Sequence, residues 1–287
     1  MPEGDPPTTD DPPILGEGLL EPGWAPELID TATAHPARMY DYYLGGKDNY
    51  QVDRDAAEEV MAIMPQTRMA ARANRSFLGR VVRHLAGLGV RQFLDIGTGV
   101  PGRGNTGEVA HLVAPDARVV YVDNDPIVLA HAEALLAKAD RARTTVIGGD
   151  LRDPQAILTN PRVTDVLDFT EPIAVLLVAV LHFVRDNENP YGVVSYLMDA
   201  MAPGSYLAMS HATGDFDPTS AQEGVRAYTQ AGARFVPRTR TQFAAFFDGT
   251  QLLEPGIVQV PYWQPDDGVP PEAASVWSYG AVGRKNG

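Results

Sequence analysis

The sequence predicts an α/β fold, a mostly parallel sheet with helices on its faces. Two observations carry that prediction. From Arg91 onward, short runs rich in β-forming residues alternate with helical stretches, the pattern of parallel strands joined by crossover helices. The helix starts are also marked, at Asp125-Pro126 and Asp153-Pro154, because aspartate accepts the free N–H groups of a first turn and proline is tolerated there.

The expected strands are Gln92–Ile96, Val119–Val122, Thr144–Ile147, Ile173–Val178 and Ser205–Ser210. Two later runs, Gly256–Val260 and Val276–Val282, flank a loop rich in Pro, Asp and Gly with no room for a helix. They are expected to pair antiparallel, since a parallel crossover needs a dozen or more residues. The helix after Asp125 is expected over Ile127–Ala137.

Ahead of this domain, residues 1–33 are dominated by Pro and acidic residues, a composition that buries too little to offset ordering, so a mobile tail is expected. Residues 34–90 are read as a helical segment. Asp53 is expected to cap Arg54–Met64, which Pro65 ends, and Thr67–Leu85 places Ala70, Ala73, Phe77, Val81 and Leu85 near one face, the spacing of an amphipathic helix. Between tail and helices, the stretch Arg38–Tyr50 is dense in Tyr, Gly and Asn and reads as an ordered loop lining a pocket or a surface turn packed by its tyrosines. Residues 91–287 make up the main domain.

Composition narrows the partners. The chain has 23 Lys+Arg against 37 Asp+Glu, a formal charge of -14, so its field repels phosphate backbones and anionic headgroups and no nucleic acid is expected. Cysteine is absent, which excludes a disulfide framework and a thiolate nucleophile and is compatible with the cytoplasm. The beginning of the chain has neither a basic start nor an apolar stretch, so no secretory signal is expected. The longest apolar run, Pro172–Val184, is well short of the roughly 20 residues that span a bilayer. The six histidines show no ligand spacing such as H-x-x-x-H, so no metal is expected.

The strongest local signal is Phe93-Leu94-Asp95-Ile96-Gly97-Thr98-Gly99, an apolar strand running into a glycine-spaced turn where a backbone can approach a ligand. The next strand ends in Asp123, where a carboxylate can accept two hydrogen bonds from ribose hydroxyls. Capping is already supplied there by Asp125, which leaves Asp123 for a ligand. A third strand runs into Gly148-Gly149-Asp150-Leu151, again with a separate cap at Asp153. Asp95, Asp123 and Asp150 are thus expected along the carboxyl edge of adjacent strands, where open α/β sheets bind ligands. Gly102 completes a G-x-G-x-x-G spacing from Gly97, but Pro101 and the extra loop Gly102–Gly104 weigh against a dinucleotide.

Other residues have bland alternatives. Glu108 stands three residues beyond Asn105, as in a capping box. His182, after the fourth strand, can face an acceptor or be a structural imidazole, and His211 ends the fifth strand. Arg72, Asn74 and Arg75 can reach a carboxylate from the preceding helix or be solvated charge.

With these motifs in order, the sequence resembles a bacterial family of S-adenosylmethionine-dependent methyltransferases once catalogued as a domain of unknown function. The resemblance runs from about Ala34 to Lys285. It rests on HPARMYDYYLGGKDNYQVDR, ANRSFLGRVVRHL, FLDIGTG, VVYVDNDPIVLAHAEALL, GDLRDPQAIL, AVLHFV and YGAVGRK. It implies a Rossmann-like class I methyltransferase with a seven-stranded sheet. It further implies Gly97 and Gly99 against the methionine part of the cofactor, Asp123 at the ribose, Asp150 with Leu151 at the adenine, and a tyrosine-rich N-terminal segment closing over it. The chain departs from the family at Gly102 and Gly107, where a Thr and a His are usual.

The full expectation for S-adenosyl-L-methionine is then contact with Asp95, Gly97, Gly99, Asp123, Asn124, Asp150, Leu151, Arg75, Tyr43 and Gly45. The expected reaction is in-line methyl transfer to a small-molecule O, N or S nucleophile, with His182 as candidate general base and a tyrosine from Tyr40 to Tyr50 as second choice. A sensor that binds the cofactor without turnover is the alternative, motivated by the two glycines; a nicotinamide oxidoreductase is third.

Overall fold

The computed structural model describes residues 30–136 and 142–287. The expectation for the tail up to residue 29, and for Ala137 at the end of its helix, lies outside the described residues. Three helices come first: α1 (Pro36–Leu44), α2 (Gln51–Ile63) and α3 (Thr67–Gly87). Then follow β1 (Gln92–Ile96), α4 (Thr106–Val113), β2 (Arg118–Asp123), α5 (Pro126–Leu136), β3 (Thr144–Gly148), α6 (Pro154–Thr159), α7 (Pro161–Thr164) and β4 (Ala174–Val178). The chain continues through α8 (Pro190–Asp199), β5 (Tyr206–Ala212), α9 (Pro218–Gln230), α10 (Arg240–Ala244), β6 (Thr250–Leu252), β7 (Val258–Gln259) and β8 (Ser278–Lys285).

The sheet order is β3-β2-β1-β4-β5-β8-β6, with β7 also paired to β8. Strands β1 to β5 are parallel, and β8 runs antiparallel to β5, β6 and β7. Among the described residues the sheet therefore has eight strands rather than the expected seven. The extra one arises because β6 pairs with Leu252↔Gly283 and β7 with Val258↔Gly280, along successive stretches of the same β8 edge. A turn containing Pro255, which has no N–H to give a ladder, separates them.

Both faces of the sheet are covered. Leu94, Val120, Val122, Val175 and Leu207 pack with α6, α8 and α10 residues such as Ile157, Leu197 and Phe243. Phe93, Val119, Tyr121, Leu176 and Ala208 pack against α3, α4 and α5 through Phe77, Val81, Ala110 and Ala132. The β1 burial pattern is unbroken, as expected of a parallel strand buried on both sides.

The N-terminal segment departs from its expected shape. The first part of the tyrosine-rich stretch is helix rather than loop: His35 caps α1, Pro36 takes the first position, and Gly45 closes it in the left-handed conformation at φ 84°, while residues 45–50 are non-helical. Among the described residues there are three helices before the sheet rather than two. Asp53 does not cap α2; it lies in the first turn and reaches back to the Tyr50 N–H at 2.8 Å while its other oxygen accepts the His35 N–H at 2.9 Å. Met39, Tyr43, Ala57 and Val60 then form an apolar cluster with Tyr228 and Phe235 from the region of α9.

Candidate active site

The strand order reverses between β1 and β4, so their carboxyl ends diverge into a crevice. A cavity of about 340 Å³ opens there. It gathers Tyr43, Arg75, Asp95, Gly97, Gly99, Asp123, Asn124, Asp150, Leu151 and His182 from sequence positions far apart. Gly45 is the exception: it terminates α1 and does not line the cavity.

The glycine turn is shaped by its neighbours. Gly97 has φ 74°, and a Cβ there would come within 2.5 Å of a Val180 methyl, so only glycine fits without displacement. Asp123, buried at the end of β2, accepts the Gly99 N–H at 2.8 Å on one oxygen and the Asp125 N–H at 3.0 Å on the other. An ionised carboxylate offers about four lone-pair sites, so each oxygen retains room for one more donor. Asp125 does the capping, accepting the Ile127 N–H at 2.8 Å. Burial raises the Asp123 carboxyl above its ordinary range.

Asp95 is buried beside the turn and accepts the Thr106 hydroxyl at 2.6 Å. Desolvation pushes its carboxyl up to about 6, against the opposing pull of the Thr106 hydrogen bond and the Arg75 charge. Arg75 itself lines the cavity and makes no hydrogen bond or ion pair with the described residues. Its partners are the field of Asp95 and the nearby phenols.

Asp150 is not spare. Both of its oxygens are taken by Arg152, at 2.9 and 3.0 Å from Nε and more closely from Nη2, and this holds the carboxyl below its ordinary value. Arg152 continues to Glu188 at 3.0 Å, which Arg234 also meets at 3.2 Å. The three loops after β3, β4 and α9 are tied together at the cavity rim by this one carboxylate.

Past β4 the backbone is strained: Ala179 has φ 58°, a conformation unfavourable for a residue with a Cβ. Ser210 holds it, accepting the Ala179 N–H on its hydroxyl at 2.9 Å, while that hydroxyl donates to Asn74. Asn74 in turn donates to the Tyr40 hydroxyl at 3.0 Å. His182 follows, buried, with Nδ1 accepting the Ala212 N–H at 3.4 Å, a tautomer that puts the proton on Nε2. Burial, then the neighbouring His211 and Arg238, drives its proton affinity well below the ordinary histidine range. His182 lines the cavity, and with Nδ1 occupied its geometry suits a donor rather than the general base expected. His211 is buried behind it, held by Arg238 at 2.9 Å.

The N-terminal helix is locked to this edge. His35 Nδ1 lies 2.9 Å from the Asp125 carboxylate. Arg38 sits 3.4 Å from both Asp53 and Asp125 without a hydrogen bond from its Nε.

Sequence reasoning missed Tyr228, Phe235 and Trp277, which also line the cavity, as does Tyr40 from the tyrosine-rich stretch. Tyr228 belongs to α9, whose start carries the same Asp-Pro signal, Asp217-Pro218, that marked α5 and α6.

A carboxyl-edge crevice with an acidic second strand defines the class of nucleotide-type ligand-binding α/β proteins to which class I methyltransferases belong. Residues 22–286 match the S-adenosyl methyltransferase family, and the chain belongs to that family. A DUF574 family protein from Streptomyces avermitilis is 45% identical, with a TM-score of 0.85 over 90% of this chain and 99% of that one. A protein from Thermobifida fusca described as a candidate methyltransferase is 40% identical, with a TM-score of 0.85 over 93% of this chain and 100% of that one. An O-methyltransferase family protein from Burkholderia thailandensis, 14% identical with a TM-score of 0.50 over 86% of this chain and 64% of that one, shares the fold alone. A comparison with curated proteins finds no match.

The protein is accordingly an S-adenosylmethionine-dependent methyltransferase. The residues present fit that cofactor: Gly97 leaves no room for a side chain, Asp123 keeps acceptor capacity, and Arg75 is a cation without a hydrogen-bonded partner among the described residues. Among the described residues no helix is long and apolar enough to cross a membrane.

Proposed function

We propose that the chain transfers a methyl group from S-adenosylmethionine to a small-molecule acceptor inside this cavity. The observation that carries the proposal is Asp123, a buried carboxylate on the cavity wall that is relieved of capping by Asp125 and free to accept further hydrogen bonds. In this reading Asp123 and Asn124 hold the ribose, and Gly97, Gly99, Asp95 and Arg75 hold the methionine end. Leu151 packs on the adenine, while Asp150 acts there only through its ion pair with Arg152. Tyr43 closes the site from α1.

When bound, the cofactor supplies an electrophilic methyl on a sulfonium. The chain's own residues chiefly position the reactants and exclude water, a contribution of about 7–11 kcal/mol when geometry is near-attack. His182 orients the acceptor by donating from Nε2. Glutamine at position 182 keeps a donor and is expected to retain more activity than alanine; equal loss in both would remove the donor role.

The cytoplasm, where S-adenosylmethionine is made, is the proposed place of action. Titration calorimetry with S-adenosylmethionine, S-adenosylhomocysteine and NAD, on the wild type and Asp123→Ala, tests the reading. Binding of the first two that the variant abolishes is expected; preference for NAD, or full binding by the variant, would overturn it.

A further inference from the structure

The two halves of the cavity differ in chemistry. The half served by β1, β2 and β3 carries the carboxylates Asp95, Asp123 and Asp150, whereas the half under β4, β5 and β8 is walled by rings. His182 and Phe183 come from the turn after β4, Tyr228 from the last turns of α9, Phe235 from the loop beyond it, and Trp277 from just before β8. Their rings form one continuous surface. Tyr228 and Phe235 stack with centroids 4.6 Å apart and 18° between planes. Phe235 meets His182 at 5.3 Å and Trp277 at 6.0 Å, both edge-on, and His182 meets Phe183 at 4.4 Å. From the opposite side, the Tyr43 hydroxyl reaches to 3.4 Å from that of Tyr228.

Charge is sparse in this half. Among the described residues that line it there is no carboxylate and no lysine, and the Arg234 guanidinium is engaged by Glu188. Burial keeps the imidazoles of His182 and His211 neutral. With Nδ1 turned to Ala212, Nε2 of His182 is a donor with no partner among the described residues, and Trp277 Nε1 and Ser278 Oγ on the same wall are likewise unpaired.

We propose that the methyl acceptor is an uncharged, planar aromatic molecule bearing a hydroxyl group, seated among His182, Phe183, Tyr228, Phe235 and Trp277. Flat rings complete offset and edge-on contacts with such a wall, while a charged acceptor would be buried there without a counter-ion. The hydroxyl oxygen accepts from His182 Nε2 with one lone pair. With another it forms the new C–O bond as the methyl–sulfur bond breaks; the bonding pair stays on sulfur, and the hydroxyl proton is lost to bulk water at the cavity mouth. This inference rests on the proposal that the cofactor fills the carboxylate half.

The test is calorimetry on the full chain saturated with S-adenosylhomocysteine, with 1-naphthol, its decahydro analogue and 4-hydroxynaphthalene-1-sulfonate as probes. Naphthol is expected to bind about tenfold or more tightly than either of the others, and Phe235→Leu and Phe183→Leu each to weaken it by about tenfold. Both variants should hold S-adenosylhomocysteine within about twofold of the wild type, which shows that they are folded. Equal binding of the saturated or the anionic probe, or no naphthol binding by a protein that binds S-adenosylhomocysteine, overturns this inference alone. Failure of S-adenosylhomocysteine to bind overturns the cofactor reading and this inference with it.

Discussion

The Tyr121 hydroxyl occupies the space into which a side chain at residue 107 would grow. It accepts the Gly107 N–H at 2.7 Å and donates to Asn105 Oδ1 at 2.9 Å, and a Cβ on residue 107 would lie 2.6 Å from it. Glycine at 107 thus leaves room for the Tyr121 hydroxyl to reach the first turn of α4. Gly102 has open space around it, and nothing in the structure explains that departure.

Gly107→Ala is expected to destabilise the fold by about 1–3 kcal/mol through overpacking, and Tyr121→Phe by a similar amount through the orphaned Gly107 N–H. In the Tyr121→Phe background, Gly107→Ala should cost less than in the wild type. Urea unfolding of the four proteins closes the cycle; additive losses would show that the two residues do not compete for the same space.

Gly97→Ala should both destabilise the protein, by about 1–3 kcal/mol, and weaken S-adenosylhomocysteine binding. The added methyl would strike Val180 and strain a backbone at φ 74°. Adding Val180→Ala relieves only the collision. Partial recovery of the unfolding midpoint is expected, and full recovery would show that the backbone conformation matters little.

The helix starts, the glycine turn and β1 to β5 could be read because each rests on neighbours in sequence: an apolar run, a cap, a proline. The rest depends on chain brought from elsewhere. The helix over Pro36–Leu44 was hidden by its tyrosines and by Gly45-Gly46, although His35-Pro36 marks its start. The three residues of β6 are too few for any periodicity, and they pair only because β8 lies alongside. The engagement of Asp150 by Arg152 is set by loop geometry, and the strain at Ala179 by Ser210 and Asn74 across the sheet.

Affinity for S-adenosylhomocysteine should rise with pH through about 6 and then level. Desolvation lifts the Asp95 carboxyl from an ordinary 3.8 to about 6, and its ionised form is the one that attracts the ligand's ammonium group. For stability the sign is opposite. The folded state takes up this proton before the unfolded chain does, so this group's contribution becomes more favourable as pH falls from about 6 toward 3.8. Calorimetry from pH 5 to 8 on the wild type and Asp95→Asn checks the binding arm; a variant with an unchanged pH profile would exclude Asp95.

The two buried imidazoles act in the other direction on stability. Burial takes His211 down to about 3 and His182 well below 6.5. Their contribution is present above the unfolded value of 6.5 and is lost as pH falls from there toward 3, since the unfolded chain binds protons that the folded one refuses. The urea midpoint should therefore drop between pH 7 and 5, and drop less in His211→Gln, which can still accept from Arg238. Identical slopes in the two proteins would place the acid sensitivity elsewhere.

The contact between Tyr43 and Tyr228 joins positions 185 residues apart. Every side chain proposed to touch the cofactor lies at or before Leu151, yet β8, the strand that pairs with β5, β6 and β7, follows them all in the chain. A chain emerging in order from the ribosome thus displays its carboxylates and glycine turn long before Phe235 and Trp277 exist to enclose an acceptor. In order of synthesis, the residues of the donor side therefore precede the wall that would enclose the acceptor.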